Sequence, residues 1–201
     1  GLGIPAEPLF RSSYLYEKFE VVIDQITNIF SQNVNCAIIF HISKAFNYSD
    51  SLISRDDFIQ ITKKIGDIYI NPQSVRTGYG DIIQAHLSNF SYVYKHINFE
   101  YIAFLSSNEM FIKKGLFNHI SDYDCGVQFI DISEKKHAEW TTGLSAIIDE
   151  ELKNYMIANN CDKIFGSHIE GSFYKRDLFL TIVHEIDGFY NYLEMQYAYP
   201  R

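Results

Sequence analysis

Basic residues are outnumbered in this chain: 17 Lys and Arg stand against 25 Asp and Glu, for a formal charge of −8. A nucleic-acid partner needs a basic field to meet its phosphates, and none accumulates here, so that class is excluded. The local clusters (Lys63-Lys64, Lys113-Lys114, Lys135-Lys136 and Lys175-Arg176) are pairs. Each is too short to hold a duplex or a membrane surface, and long enough to meet one diphosphate. Cysteine is also rare. Cys36, Cys125 and Cys161 are an odd number, far apart, and without zinc-ligand spacing. Neither a disulfide framework nor a structural zinc fits them, and free thiols in a reducing, cytoplasmic compartment are the expectation. No apolar run approaches the ~18–20 residues of a membrane span, so any membrane contact is expected to be peripheral, through a membrane-bound acceptor. The sequons at Asn47 and Asn89 are read as chance. Neither G-x-S-x-G nor G-x-x-x-x-G-K-S/T occurs, which disfavours a hydrolase elbow or a phosphate-cradling loop.

What the chain has is apolar mass. Nearly half of its residues are hydrophobic and 16% are aromatic, enough for a full core over one domain spanning residues 1–201. Periodicity predicts a helix over residues 14–31, with Leu15, Phe19, Val22, Ile26 and Phe30 on one face, and no strand before it. Cys36–Phe40 reads as a buried strand ending at His41-Ile42-Ser43-Lys44, and Asp67–Ile70 as a short one closed by Asn71-Pro72. A helix over 80–96, a strand over 101–105, a helix near 115–121 and a strand over 126–132 follow. Helices over 145–158 and 173–193 complete the pattern. Strands alternating with helices imply an α/β fold with a mostly parallel sheet flanked by helices.

The strand at 101–105 breaks abruptly into Ser106-Ser107-Asn108-Glu109. That sequence sets hydroxyls, an amide and a carboxylate at the carboxyl end of a sheet strand, where ligands bind in open α/β sheets. The alternative is an ordinary junction whose Ser and Asn cap the next helix. Asp122-Tyr123-Asp124 has the spacing of a metal-binding triplet but precedes a strand instead of following one, so it reads as a solvated turn.

Three segments in order, Phe40-His41-Ile42-Ser43-Lys44, Arg76-Thr77-Gly78-Tyr79-Gly80-Asp81-Ile82-Ile83-Gln84-Ala85 and Leu105–Lys113, resemble motifs of the core-2/I-branching β-1,6-N-acetylglucosaminyltransferases and their bacterial relatives. His137-Ala138-Glu139-Trp140 and Ser167–Phe173 are looser matches, and together the blocks cover roughly residues 36–180. Ser43 stands where the family has Asp, Thr77 where it has Trp, Ser107 where it has Gly and Phe111 where it has Pro. The family's opening strand finds no counterpart before residue 14, and its basic C-terminal segment finds none either.

The resemblance implies a GT-A-like nucleotide-sugar fold and inverting transfer from a UDP-sugar to a saccharide acceptor, in polysaccharide or glycoconjugate synthesis. It implies no metal and no cofactor beyond the donor itself, with basic side chains meeting the diphosphate. Glu170 becomes the candidate general base, in a polar loop before the final helix; without the resemblance, Glu170 and Ser172 simply start that helix. Glu109 falls on the family's sugar-binding Asp, with Ser106 and Asn108 beside it. Lys113 would neutralise a phosphate, or pair with Glu109. Arg76 would reach a diphosphate or an acceptor carboxylate. Trp140 would stack on an acceptor sugar or pack half-buried. His41 would border the uridine pocket, or serve as a hydrogen-bonded structural residue. The competing expectation is a non-catalytic carbohydrate- or nucleotide-binding domain on the same fold.

Overall fold

The computed structural model describes residues 7–33, 35–44, 51–75, 77, 82–133 and 141–189. Arg76 and Trp140, and with them the segments 78–81 and 134–140, lie outside the described residues. Six strands form one sheet in the order β3-β2-β1-β4-β6-β5. The strands are β1 (Glu7–Leu15), β2 (Cys36–Ile42), β3 (Ile68–Ile70), β4 (Phe99–Leu105), β5 (Cys125–Asp131) and β6 (Phe165–Lys175). Strands β3, β2, β1 and β4 run parallel, while β6 lies antiparallel to both β4 and β5. The expected mostly parallel sheet flanked by helices is what the chain forms.

The helices are α1 (Phe19–Gln32), α2 (Arg55–Thr62), α3 (Ile82–His96), α4 (Leu116–Ile120), α5 (Thr141–Ile148), α6 (Glu150–Ala158) and α7 (Arg176–Phe189). Alternation along β1 and β2 sorts their side chains to two faces. Phe10, Ala37 and Ile39 pack with Leu87, Phe90 and Val93 of α3 and with Phe179 and Val183 of α7. Leu15, Ile38, Phe40 and Ile42 pack with Phe19, Val22, Ile26 and Ile29 of α1 and with Phe58 of α2. Among the described residues no helix is long and apolar enough to cross a membrane.

Two strands depart from the sequence reading. Residues 14–31 are not one helix: β1 runs through Leu15 and α1 begins at Phe19. This strand lies at the centre of the sheet, where the sequence reading places no strand before residue 14. It escapes notice because Arg11, Ser12 and Ser13 interrupt its apolar run, and yet all three are buried. Burial of Ser12 is tolerated because its hydroxyl meets His86 Nδ1 at 2.8 Å and receives Asn89 Nδ2 at 3.0 Å. The second departure is β6, which occupies residues that the periodicity assigned partly to the final helix; α7 starts only at Arg176. Gly166 and Gly171 blur its pattern. Two smaller differences concern helices. The segment 145–158 is split at Asp149, whose side chain caps α6 by accepting from Leu152 N at 2.8 Å. Helix α2, which periodicity passes over, is capped by Ser54 and carries Asp56 and Asp57 in its first turn.

Candidate functional site

Because β3, β2, β1 and β4 are parallel, their carboxyl ends share one edge of the sheet. The chain leaves β1 toward β2 and β3 on one side, then returns to the other side of β1 with β4. The crevice between the ends of β1 and β4 is therefore the topological switch point, the place where open α/β sheets bind ligands. Its walls are Tyr14 of β1 with Tyr16 and Glu17 just after it, and Ser106, Asn108 and Glu109 just after β4.

Helix α1 holds the β4 wall in shape. Buried Gln25 donates through Nε2 to the carbonyls of Ser106 (2.5 Å) and Glu109 (3.0 Å). Asn28 grips Phe111 on both backbone atoms, accepting from its N–H at 2.7 Å and donating to its carbonyl at 3.1 Å. Within the turn, Ser106 N–H donates to Glu109 Oε2 at 2.9 Å and Ser106 Oγ to Asn108 Oδ1 at 2.6 Å. Asn108 is exposed and reaches across to Glu17 Oε1 at 3.4 Å. Side chains of α1 thus pair with the loop as a neighbouring strand would, and this satisfies backbone groups that the end of β4 leaves open.

Glu170 enters from β6. Gln128 pairs with His168 and Gly126 with Phe173, so Val127 alone faces residues 169–172. The extra residues form a bulge, closed by Ser172 Oγ donating to the Ile169 carbonyl at 2.5 Å. Gly171 completes it at φ +81°, a left-handed conformation natural to glycine. Bulges re-aim side chains, and this one turns Glu170 toward the switch point. Tyr14 Oη donates to Glu170 Oε1 at 3.1 Å. Glu170 therefore lies on a strand bulge, not in a loop ahead of a helix as its surroundings in the sequence suggested. Burial pushes the Glu109 carboxyl above its usual range; the bond from Ser106 N opposes that shift, and the negative charge of Glu170 adds to it. Burial, with Glu170 beside it, also pushes the Tyr14 phenol upward, so Tyr14 stays a protonated donor at neutral pH.

A second concavity, about 330 Å³, opens at the same edge, at the ends of β2 and β3. Ser43, Lys44, Arg55, Asn71 and Ser74 line it, so it brings two cations to an otherwise acidic edge. Ser43 Oγ accepts from Thr77 N at 3.0 Å and fixes the segment that follows β3.

The other candidates are dispersed. His41 is fully buried, with Nε2 3.1 Å from the Val75 carbonyl and 3.2 Å from the Val75 N–H; burial holds its imidazole below the usual range. It anchors the loop that follows β3 from beneath the edge. Lys113 is carried away from the switch point. It lies between Phe111, bonded to Asn28, and Gly115, whose N–H donates to the carbonyl of Gln32 at the far end of α1. Asp122 and Asp124 sit before β5, at the amino end of β4, where Asp124 Oδ1 accepts from Lys175 Nζ at 2.7 Å. Among the described residues no three His, Cys, Asp or Glu side chains cluster so as to hold a metal ion. Sequence reasoning missed Tyr14, Tyr16, Gln25 and Arg55; the signal that finds Tyr14 is the apolar pairs Leu9-Phe10 and Tyr14-Leu15 on either side of a short polar run, which together make one strand.

No family model matches the chain. Over 186 residues, 87% of this chain, it is 26% identical to the chondroitin synthase of Pasteurella multocida (strain Pm70). The chain spans 18% of that protein's length. This relative is a chondroitin synthase and not a core-2/I-branching enzyme. Two solved structures overlay loosely. Core-mannan synthase A from Aspergillus fumigatus, in its Mn/GDP form, has a TM-score of 0.46 at 13% identity, over 98% of this chain and 66% of that one. The mannosyltransferase Ktr4p from S. cerevisiae has a TM-score of 0.46 at 12% identity, over 96% of this chain and 62% of that one.

Proposed function

We propose that this chain is a glycosyltransferase domain of GT-A-like architecture that moves a sugar from a nucleotide-sugar to a saccharide hydroxyl with inversion, in polysaccharide or glycoconjugate synthesis. The observation that carries the reading is the meeting of Glu109 and Glu170 at the switch point between β1 and β4. The similarity to a chondroitin synthase over most of the chain supports the same class. The finer assignment to core-2/I-branching enzymes rests on the motif resemblance alone.

In this reading Glu170 takes the proton of the acceptor hydroxyl as that oxygen bonds to the anomeric carbon of the donor. The bond from that carbon to the diphosphate breaks, and its electron pair leaves with the nucleotide. Glu109 accepts hydrogen bonds from sugar hydroxyls, and charge-assisted bonds of this kind are strong. Ser106 and Asn108 complete the sugar wall. The cavity at β2 and β3 takes the nucleoside, and Lys44 and Arg55 meet the charge of the diphosphate. Arg76 and Trp140 keep their proposed contacts to diphosphate and acceptor. A role for Lys113 at the phosphates is disfavoured by its place along α1. What supports transfer without a metal is that the Asp122–Asp124 triplet sits at the opposite edge of the sheet.

Calorimetric titration with UDP-, GDP-, CMP- and dTDP-sugars, in EDTA and then with manganese, tests the reading. One nucleotide class, UDP, is expected to bind in EDTA. Binding that appears only with manganese would overturn the metal-free part, and no binding at all would leave a non-catalytic domain. That second reading is favoured by one residue: Ser43 replaces the acid expected at the end of β2.

A further inference from the structure

We infer that Tyr14 is a positioning residue for sugar transfer: its phenol fixes one oxygen of the Glu170 carboxylate and leaves the other to face the acceptor hydroxyl. This inference rests on the proposed role of Glu170 as general base.

The geometry is specific. Tyr14 is the penultimate residue of β1, directly opposite His41 of β2, at the lip of the switch point. Only 6% of its surface is exposed, so the ring has little freedom. Tyr16 stacks on it, with centroids 5.3 Å apart and planes inclined by 28°. The His86 ring meets its edge at 5.5 Å and 87°. His86 is itself held by Ser12 Oγ, and burial, reinforced by the nearby His41, pulls its imidazole down to about 3, so it stays neutral. The ring is thus clamped by Tyr16, just after β1, and by His86 of α3 before any substrate arrives.

The hydroxyl spans from the centre of the sheet to the bulge of β6 and donates to Glu170 Oε1 at 3.1 Å. Glu170 sits on a segment with few ladder bonds of its own, because four residues there face one. A carboxylate on such a segment has rotamers to choose among, and a base must lie within hydrogen-bond reach of its proton to work. The bond from Tyr14 removes that choice. With Oε1 occupied, proton transfer falls to Oε2. Raised by burial and by the carboxylates of Glu170 and Glu109, the phenol keeps its proton and does not compete as a base.

The test is steady-state kinetics of Tyr14→Phe, which keeps the ring and its packing, beside Glu170→Gln and Glu170→Asp. Turnover (kcat) of Tyr14→Phe is expected to fall roughly 10- to 100-fold, the range for a lost hydrogen bond to a charged group, with KM for donor and acceptor and the melting temperature unchanged. Glu170→Asp, which keeps the charge but draws it back from Tyr14, is expected to lose turnover comparably. Full turnover in Tyr14→Phe with Glu170→Gln inactive would overturn the positioning role and leave the base in place. A fall in Tyr14→Phe that comes with a lower melting temperature and a raised KM would also overturn it, as a packing effect. Full turnover in both Tyr14→Phe and Glu170→Gln would overturn the base and the inference together.

Discussion

Glu170→Gln is expected to remove sugar transfer by roughly 10²- to 10⁴-fold while nucleotide-sugar affinity stays within a few-fold of the parent chain. Glutamine keeps the size of the side chain and still offers an oxygen to Tyr14 Oη, so the bulge and the β1 wall are undisturbed. What it loses is the capacity to accept a proton. The cavity proposed for the nucleoside lies at β2 and β3, with β1 and β4 between it and β6 in the sheet, so donor binding has no reason to fall. Paired kinetics and calorimetry separate the two effects. A parallel loss of binding and turnover would mean that Glu170 supports the fold of the site and takes no part in the chemistry.

Asn89→Leu is expected to destabilise the fold by about 3 kcal/mol, because its amide makes three buried hydrogen bonds and each is worth about 1 kcal/mol net. Its Nδ2 donates to Ser12 Oγ at 3.0 Å and to the Ser13 carbonyl at 3.1 Å, and its Oδ1 accepts from Asn71 Nδ2 at 3.0 Å. Asn71 in turn accepts from Gln73 N at 2.9 Å, which shapes the loop after β3. Leucine has the same number and branching of heavy atoms and supplies none of these bonds. For a chain of this size the change corresponds to a fall of roughly 6–12 °C in melting temperature. A thermal scan that moves by less than 2 °C would mean that the network adds nothing to stability. Asn89 is wholly buried, so its sequon is closed to glycosylation in the folded chain, in line with the reading of that tripeptide as chance.

Legibility in the sequence follows the rules of burial. Strands β2 and β4 are near-continuous apolar runs, and their positions were read to within two residues at each end. Strand β1 is not legible, because Arg11, Ser12 and Ser13 break its apolar run, and the partners of the Ser12 hydroxyl and the Ser13 carbonyl lie 74 to 77 positions away in α3. Strand β6 was not legible for a different reason: glycines and a bulge erase its period of two. The β4 wall of the site was visible, since Ser106, Asn108 and Glu109 follow directly from an obvious strand. Glu170 was singled out from the motif, although its element was misjudged. Tyr14 and Gln25 were invisible, because nothing in the sequence says that the end of β1 meets β6 or that α1 binds the β4 turn. Lys113 looked close to Glu109 on paper, and the grip of Asn28 on Phe111 draws the chain away between them.

Carboxylates at the β1–β4 switch point are proposed to drive inverting sugar transfer. Proton NMR of the product, formed from an α-linked UDP-sugar and a saccharide acceptor, tests this most directly. A new β-anomeric signal is expected to appear with the parent chain and to be absent with Glu170→Gln. A product that retains the α configuration, or one that forms equally well without Glu170, would contradict it.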